Sequence, residues 1–129
     1  MQKYFIFAAL ALTAACVDED PMDGRSAYLD NCASCHAADG TGNGPMAREL
    51  GVIAPDLTQI SARNGGTFPR DAVMSTIDGY EASGHLTGAM PEFGAGDMGE
   101  TVIVENNGLG TPVPLKLLVL TDYVESLQR

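Results

Sequence analysis

The chain has 129 residues, and its 17 acidic side chains outnumber its 7 lysines and arginines, which gives a formal net charge of −10. A chain of this length forms one domain. Its acidic balance excludes nucleic-acid binding, which requires a basic surface, but suits electrostatic steering toward a basic partner. Fifteen glycines and no tryptophan predict many turns and a modest core.

The N-terminal residues have the features of an export signal. Lys3 precedes an apolar run over residues 5–12. The run is shorter than the ~20 residues that span a bilayer and is typical of a signal peptide. Ala14 and Ala15 directly precede Cys16. This order resembles a bacterial lipobox, in which cleavage occurs before the cysteine and the sulfur is lipidated.

Thr13 departs from the leucine that is commonest in a lipobox. Ordinary signal-peptidase cleavage, which would release a soluble periplasmic protein, is the alternative, because Thr13 and Ala15 also offer small residues at the required positions. It would leave Cys16 as a free thiol, which is a liability in an oxidising compartment. Lipidation, which anchors a protein stably through two or more acyl chains, is the preferred interpretation. It implies a location on the periplasmic side of a bacterial membrane. The predicted organisation is a signal peptide over residues 1–15, an acidic tether over 16–22 and one domain over 23–129.

The domain begins with a predicted helix over Asp23–Cys32. Asp23 suits the N-cap position. Gly24, Tyr28 and Cys32 recur at four-residue intervals, so they share one face of the helix.

Cys32 and Cys35 are three residues apart, and His36 follows at once. This spacing is typical of c-type haem attachment: each thiol adds to one haem vinyl group, and the adjoining imidazole coordinates the iron. A zinc ribbon would need a second Cys/His pair, and the only other histidine is His85. A thioredoxin-type site favours a βαβ pattern, whereas these flanks are Gly-rich. A simple disulfide is the remaining alternative. The motif occurs once, so we expect one haem.

These features resemble the class I cytochrome c family. In that family a small residue and an aromatic residue precede the first haem cysteine by two turns and one turn, and both pack against the C-terminal helix. Gly24 and Tyr28 stand at those positions. The resemblance implies an all-α fold in which the N- and C-terminal helices pack together across a covalently bound haem.

The sixth iron ligand is expected from far along the chain. Met90 follows Gly88 and Ala89, whose small size lets the loop approach the haem, and Pro91 stiffens the loop. The resemblance favours Met90, because the distal methionine of the family often precedes proline. Methionine and histidine together raise the reduction potential relative to two imidazoles. The alternatives are His85 and Met98.

His36 also needs an acceptor for the ring N–H that does not face the iron. The family uses a proline carbonyl after the attachment motif, and Pro55 resembles it, whereas Pro45 has the surroundings of a turn. Arg63 is a candidate partner for a haem propionate, with a solvated helix-end charge as the alternative. The candidate apolar residues of the haem pocket, which are equally candidates for ordinary core, are Leu57, Ile60, Phe68, Val73, Ile77 and Phe93.

Three further elements are predicted. Residues 69–79 indicate a helix with proline in its first turn and glycine at its end. Residues 101–113 indicate a small β-hairpin around Asn-Gly, inserted relative to the compact family pattern, and an irregular loop is the alternative. Residues 114–128 indicate the C-terminal helix. Its predicted core positions are Leu117, Leu120, Val124 and Leu127.

The predicted function is electron transfer in a bacterial respiratory or photosynthetic chain. With both axial positions filled, the iron offers no open site for substrate chemistry. The partners are then redox proteins that dock through small, weak interfaces. The alternatives are a haem protein with an open or labile distal site, such as a peroxidase or gas sensor, and a haem-free thiol or metal-binding module.

Overall fold

The computed structural model describes residues 23–80, 90–96, 98–106 and 108–129. The first helix, α1, covers Gly24–Asn31 and ends one residue earlier than predicted. Asp23 is its N-cap, and its carboxylate accepts a hydrogen bond of 3.0 Å from the Ser26 amide. Because this bond favours the charged form, it lowers the pKa of the exposed Asp23 carboxyl. Cys32 is the C-cap, and its amide donates to the Tyr28 carbonyl at 2.8 Å.

The sequence pattern did not predict two short helices, one within the attachment motif and one after it. Helix α2 covers Ala33–His36, and α3 covers Pro45–Leu50. We expected Pro45 in a turn. It instead begins α3, where its fixed φ suits the first helical turn, and the turn lies just before it, where Gly42 and Asn43 have positive φ.

Within the described ranges, four further helical elements lie between α3 and the first strand. A 3₁₀ turn at Leu57–Gln59 runs into α4 (Ile60–Arg63), and α5 covers Arg70–Asp78. Helix α5 confirms the prediction for 69–79, with Pro69 at its N-cap and Gly79 in the left-handed conformation at its C-cap. A second 3₁₀ turn covers Phe93–Ala95.

The predicted hairpin is confirmed. Strands β1 (Thr101–Asn106) and β2 (Leu109–Pro114) pair antiparallel, with Thr101 opposite Pro114 and Ile103 opposite Pro112. The C-terminal helix α6 covers Leu115–Ser126 and so begins directly after β2. The predominantly helical fold with one small hairpin is therefore the one predicted.

Helices α1 and α6 pack closely at Gly24. A Cβ atom at this position would overlap the Val119 carbonyl oxygen and lie 3.1 Å from Tyr123 Cβ. One turn along, Tyr28 is fully buried, and its ring centroid lies 5.1 Å from that of Tyr123 at an interplanar angle of 47°. The predicted pairing of the Gly24/Tyr28 face with the C-terminal helix is confirmed.

The apolar core lies between α1, α5 and α6. Helix α5 is also tied to α6 at the surface, because Arg70 forms ion pairs with Asp122 and, at 2.6 Å, with Glu125. Among the described residues, no helix is long and apolar enough to cross a membrane. The buried core residues are Ala27, Tyr28, Ile77, Met98, Val113, Leu117, Leu120 and Val124.

We predict that Gly24→Ala lowers the free energy of unfolding by ~1–3 kcal/mol, because the added methyl forces α1 away from the Val119 backbone. Urea unfolding of the purified protein measures the change. Gly96→Ala is the matched control, since its Cβ would meet only the Phe93 carbonyl oxygen, at 3.5 Å. Equal stability of the two variants would contradict the close helix contact.

Candidate haem attachment site

The two motif cysteines lie at the junction of α1 and α2. The amides of Cys35 and His36 both donate to the Cys32 carbonyl, at 3.1 and 2.9 Å, which holds the motif in one tight turn. Both thiols are half-buried and free, so the alternative of a simple disulfide is not what the structure contains. Burial and the neighbouring Cys35 raise the pKa of the Cys32 thiol to about 11, and Lys116 opposes this shift.

His36 is buried, and its ring has one fixed partner. Its Nδ1 lies 3.1 Å from the carbonyl oxygen of Pro55. Because a carbonyl only accepts, Nδ1 carries the proton, and Nε2 keeps its lone pair for a metal ion. Burial lowers the pKa of the imidazole, whereas the hydrogen bond to Pro55 raises it. The neutral, metal-binding form is therefore favoured.

Two glycines let the following loop lie directly against the motif. The Gly44 amide donates to the Cys35 carbonyl at 2.7 Å, and the Gly42 amide donates to the His36 carbonyl at 2.9 Å. A Cβ atom on Gly44 would overlap the Ser34 carbonyl oxygen. A Cβ atom on Gly42 would overlap that of Ala54. No simple periodicity marks these two positions in a chain with fifteen glycines.

The segment around Pro55 is held from both sides. Leu57 donates its amide to the Gly40 carbonyl at 2.7 Å. The Asp56 carboxylate accepts from the Thr58 hydroxyl and amide, at 2.7 and 2.8 Å, and the hydroxyl bond in particular lowers the pKa of this half-buried acid. Arg63, predicted to face a propionate, is exposed and donates to the Asp56 carbonyl at 2.7 Å. Its guanidinium therefore lies one residue beyond the His36 acceptor.

Tyr28 contributes a contact that its assignment as a core residue did not anticipate. Its hydroxyl donates to the Ala37 carbonyl at 2.8 Å. Ala37 follows His36 and has a φ of 64°, in the left-handed region that alanine rarely adopts. The buried hydroxyl thus supports the sharp change of direction directly after the imidazole. Desolvation by burial raises the pKa of Tyr28, so the hydroxyl keeps its proton.

The predicted pocket residues divide into two groups. Ile77 is buried in the core, 6 % exposed. The other five are half-buried and pack against that core: Leu57, Ile60, Phe68, Val73 and Phe93.

The two candidate methionine ligands, Met90 and Met98, also differ in how deeply they are buried. Met90 is half-buried against the core, whereas Met98 is 7 % exposed and belongs to it. A half-buried thioether leaves part of its surface for another group, so Met90 is the better placed of the two to meet a ligand. His85, together with Cys16 and the predicted signal peptide and tether, lies outside the described residues.

These residues fit a covalently bound haem. Cys32 and Cys35 offer free thiols one turn apart, and His36 offers a neutral imidazole whose orientation is fixed. The five half-buried apolar side chains offer surface that a large apolar ring system would cover. By contrast, among the residues that the structure describes, no group of three or more histidine, cysteine or acidic side chains is placed to bind a bare metal ion.

Comparison with protein families gives a match over the region of the site. The family model for cytochrome c matches residues 21–101, which is more than half of the chain. The matched range includes the Cys32–His36 motif, Pro55 and Met90 and ends at the first residue of β1. No curated protein and no solved structure matches the chain significantly.

We predict that Gly42→Ala destabilises the protein more than Gly51→Ala. Both glycines have positive φ, of 83° and 67°, so each alanine costs ~1–2 kcal/mol in backbone strain. At Gly42 the methyl group would also overlap the Ala54 carbonyl oxygen and would lie 3.2 Å from the Pro55 carbonyl oxygen. At Gly51 no atom lies within 4 Å of the added methyl group. Urea unfolding followed by circular dichroism compares the two. Equal losses would mean that the loop is not packed against the motif.

Proposed function

The chain belongs to the cytochrome c family and carries covalently bound haem c, and from this premise we propose that it is a monohaem electron carrier of a bacterial respiratory or photosynthetic chain. The observation that carries the proposal is the fixed His36 ring, which faces the Pro55 carbonyl through Nδ1 and leaves Nε2 for iron. The bound haem iron supplies a one-electron couple between the ferric and ferrous states.

The protein's own residues have distinct roles in this proposal. Cys32 and Cys35 hold the haem through thioethers, and His36 is the proximal ligand. Met90 is the distal ligand, which its half-buried position against the core supports. Filling both axial positions leaves no coordination site for a substrate, which favours electron transfer over bond chemistry. Arg63 stays our candidate for a propionate, since its exposed guanidinium has donors beyond the one used by the Asp56 carbonyl.

The distribution of charge suggests the kind of redox partner. Residues 71–115 contain seven acidic residues and no lysine or arginine, whereas residues 23–70 contain five acidic and four basic residues. Within the described part of the acidic segment, Glu92, Glu100 and Glu105 are exposed. Exposed acidic side chains are attracted to a basic surface, which steers the approach of the two proteins. We therefore propose redox partners whose docking surface is basic.

The distal ligand is tested with Met90→Ala and the matched control Met98→Ala. We expect Met90→Ala to lose the weak long-wavelength absorption band of ferric iron–thioether ligation and to bind carbon monoxide readily when ferrous. Met98→Ala should keep the band and lose ~2–5 kcal/mol of stability, because a buried side chain is removed. Absorption spectra at neutral pH and urea unfolding measure both effects.

The same experiment distinguishes the alternatives. Loss of the band in Met98→Ala alone would assign that residue as the ligand, and loss in neither variant would point to His85. Ready binding of carbon monoxide by the unmodified ferrous protein would instead indicate an open distal site, as in a sensor or peroxidase. A pyridine haemochrome spectrum without the c-type α band would exclude attached haem and overturn the electron carrier altogether.

We further propose that residues 1–15 are removed and that Cys16 is lipidated, which tethers the domain to the periplasmic face of a membrane through the acidic segment 16–22. Mass spectrometry of the membrane-fraction protein should find acyl chains on an N-terminal Cys16. The variant Cys16→Ser should leave the membrane fraction with its haem spectrum unchanged. An unmodified Cys16 thiol in the mature protein would contradict the anchor.

A further inference from the structure

The side-chain amide of Gln128 joins α6 to the segment that follows Pro55. Its Oε1 accepts a hydrogen bond from the Ser61 amide at 2.9 Å, and its Nε2 donates to the Leu57 carbonyl at 2.8 Å. A further bond of 2.8 Å from Nε2 to the Val124 carbonyl ties the same amide to α6. These bonds use one oxygen and both hydrogens of the amide, so its position is fixed at both ends.

The groups that Gln128 holds lie close to the acceptor of His36. Leu57 is two residues after Pro55 and begins the 3₁₀ turn that leads into α4. Gln128 therefore fixes the chain just after Pro55, while the Leu57 amide binds Gly40 on the other side. Arg129 adds a backbone bond of 3.1 Å to the Thr58 carbonyl. Arg129 Nε also donates to the Thr58 hydroxyl oxygen at 3.3 Å. Because neither bond needs the Gln128 side chain, the segment keeps these two links to the C-terminal residue when that side chain is changed.

The hydrogen bond that these contacts position is sensitive to small movements. The distance of 3.1 Å between His36 Nδ1 and the Pro55 oxygen lies near the long end of ordinary N–H···O bonds. A shift of the segment by a few tenths of an ångström would weaken it. This bond makes the imidazole a more basic ligand. A more basic ligand favours ferric over ferrous iron, so weakening the bond raises the reduction potential.

We propose that Gln128 is a positioning residue for the His36 ligand: by holding the Leu57 carbonyl and the Ser61 amide, it keeps the Pro55 carbonyl on Nδ1 and so keeps the reduction potential low. The inference rests on the proposed function, because it requires iron on His36. It concerns a residue just after α6, and the whole of α6 lies beyond the range of the family match.

The test uses the haem-loaded protein with Gln128→Leu, which keeps a side chain of similar size but neither donates nor accepts. The matched control is Ser126→Ala. The Ser126 hydroxyl donates to the Tyr123 carbonyl at 2.6 Å, at the same end of α6, and has no bond to residues 57–61. Equilibrium redox titration gives the potentials. Nitrogen-15 NMR of the diamagnetic ferrous protein reports the His36 Nδ1–H group directly. If Gln128 had a purely structural role, its replacement would not move this signal.

For Gln128→Leu we expect a roughly twofold to tenfold rise in the ratio of ferrous to ferric protein at a fixed solution potential, where tenfold equals 59 mV for one electron. The Nδ1–H signal should move toward that of a weaker hydrogen bond. Ser126→Ala should match the unmodified protein in both. Gln128→Asn, whose shorter amide cannot span both partners, should give a shift of the same sign and keeps the test valid if Gln128→Leu does not fold.

The inference is overturned if a haem-loaded Gln128 variant has an unchanged or lowered reduction potential. It is also overturned if the potential rises but the Nδ1–H signal of His36 is unchanged. Neither result affects the proposed function. Absence of a c-type haem spectrum from the unmodified protein overturns the proposed function as well.

Discussion

The hydrogen bond between His36 Nδ1 and the Pro55 carbonyl is the constraint on which the site depends. It joins residues 19 apart in the chain and selects the tautomer that leaves Nε2 free for iron. A single such bond contributes only about 1 kcal/mol to the free energy of unfolding. The positions of the imidazole and the carbonyl must therefore be held by the surrounding residues. Gly42 and Gly44 contribute by letting the loop touch the motif, and Tyr28 contributes by holding the Ala37 carbonyl.

Local patterns in the sequence were sufficient for the elements that depend on local chemistry. The N-cap at Asp23, the C-cap at Gly79 and the Asn-Gly hairpin were each predicted from a few neighbouring residues, and each is present in the structure. The close approach at Gly24 was also predicted, but from resemblance to the cytochrome c family. Helix α3 was missed because proline is common both in turns and in the first turn of a helix.

The contacts of the site that escaped prediction are those between distant segments. Gln128 binds residues 67 and 71 positions away, and nothing in the amino acids near it distinguishes it from a solvated glutamine at a helix end. The contact of Arg63 with the backbone carbonyl of Asp56 was not predicted either, because residue type alone does not specify a backbone partner. A haem propionate stays our candidate for its other donors. Such roles follow from the path of the whole chain, which periodicity and spacing do not encode.

The path of the chain also explains why stability and ligand geometry are linked here. Cys32 ends α1 and begins the turn that carries His36, α1 lies against α6 at Gly24, and the residue two beyond the end of α6 is Gln128. Gln128 then holds the segment whose first residue, Pro55, binds His36. These contacts link His36 through α1 and α6 back to its own hydrogen-bond acceptor, Pro55, and the haem thioethers would fix Cys32 and Cys35 within this set. The α1–α6 contact thus lies on the same connected path as the imidazole and its acceptor, and close packing along that path resists movement of either one.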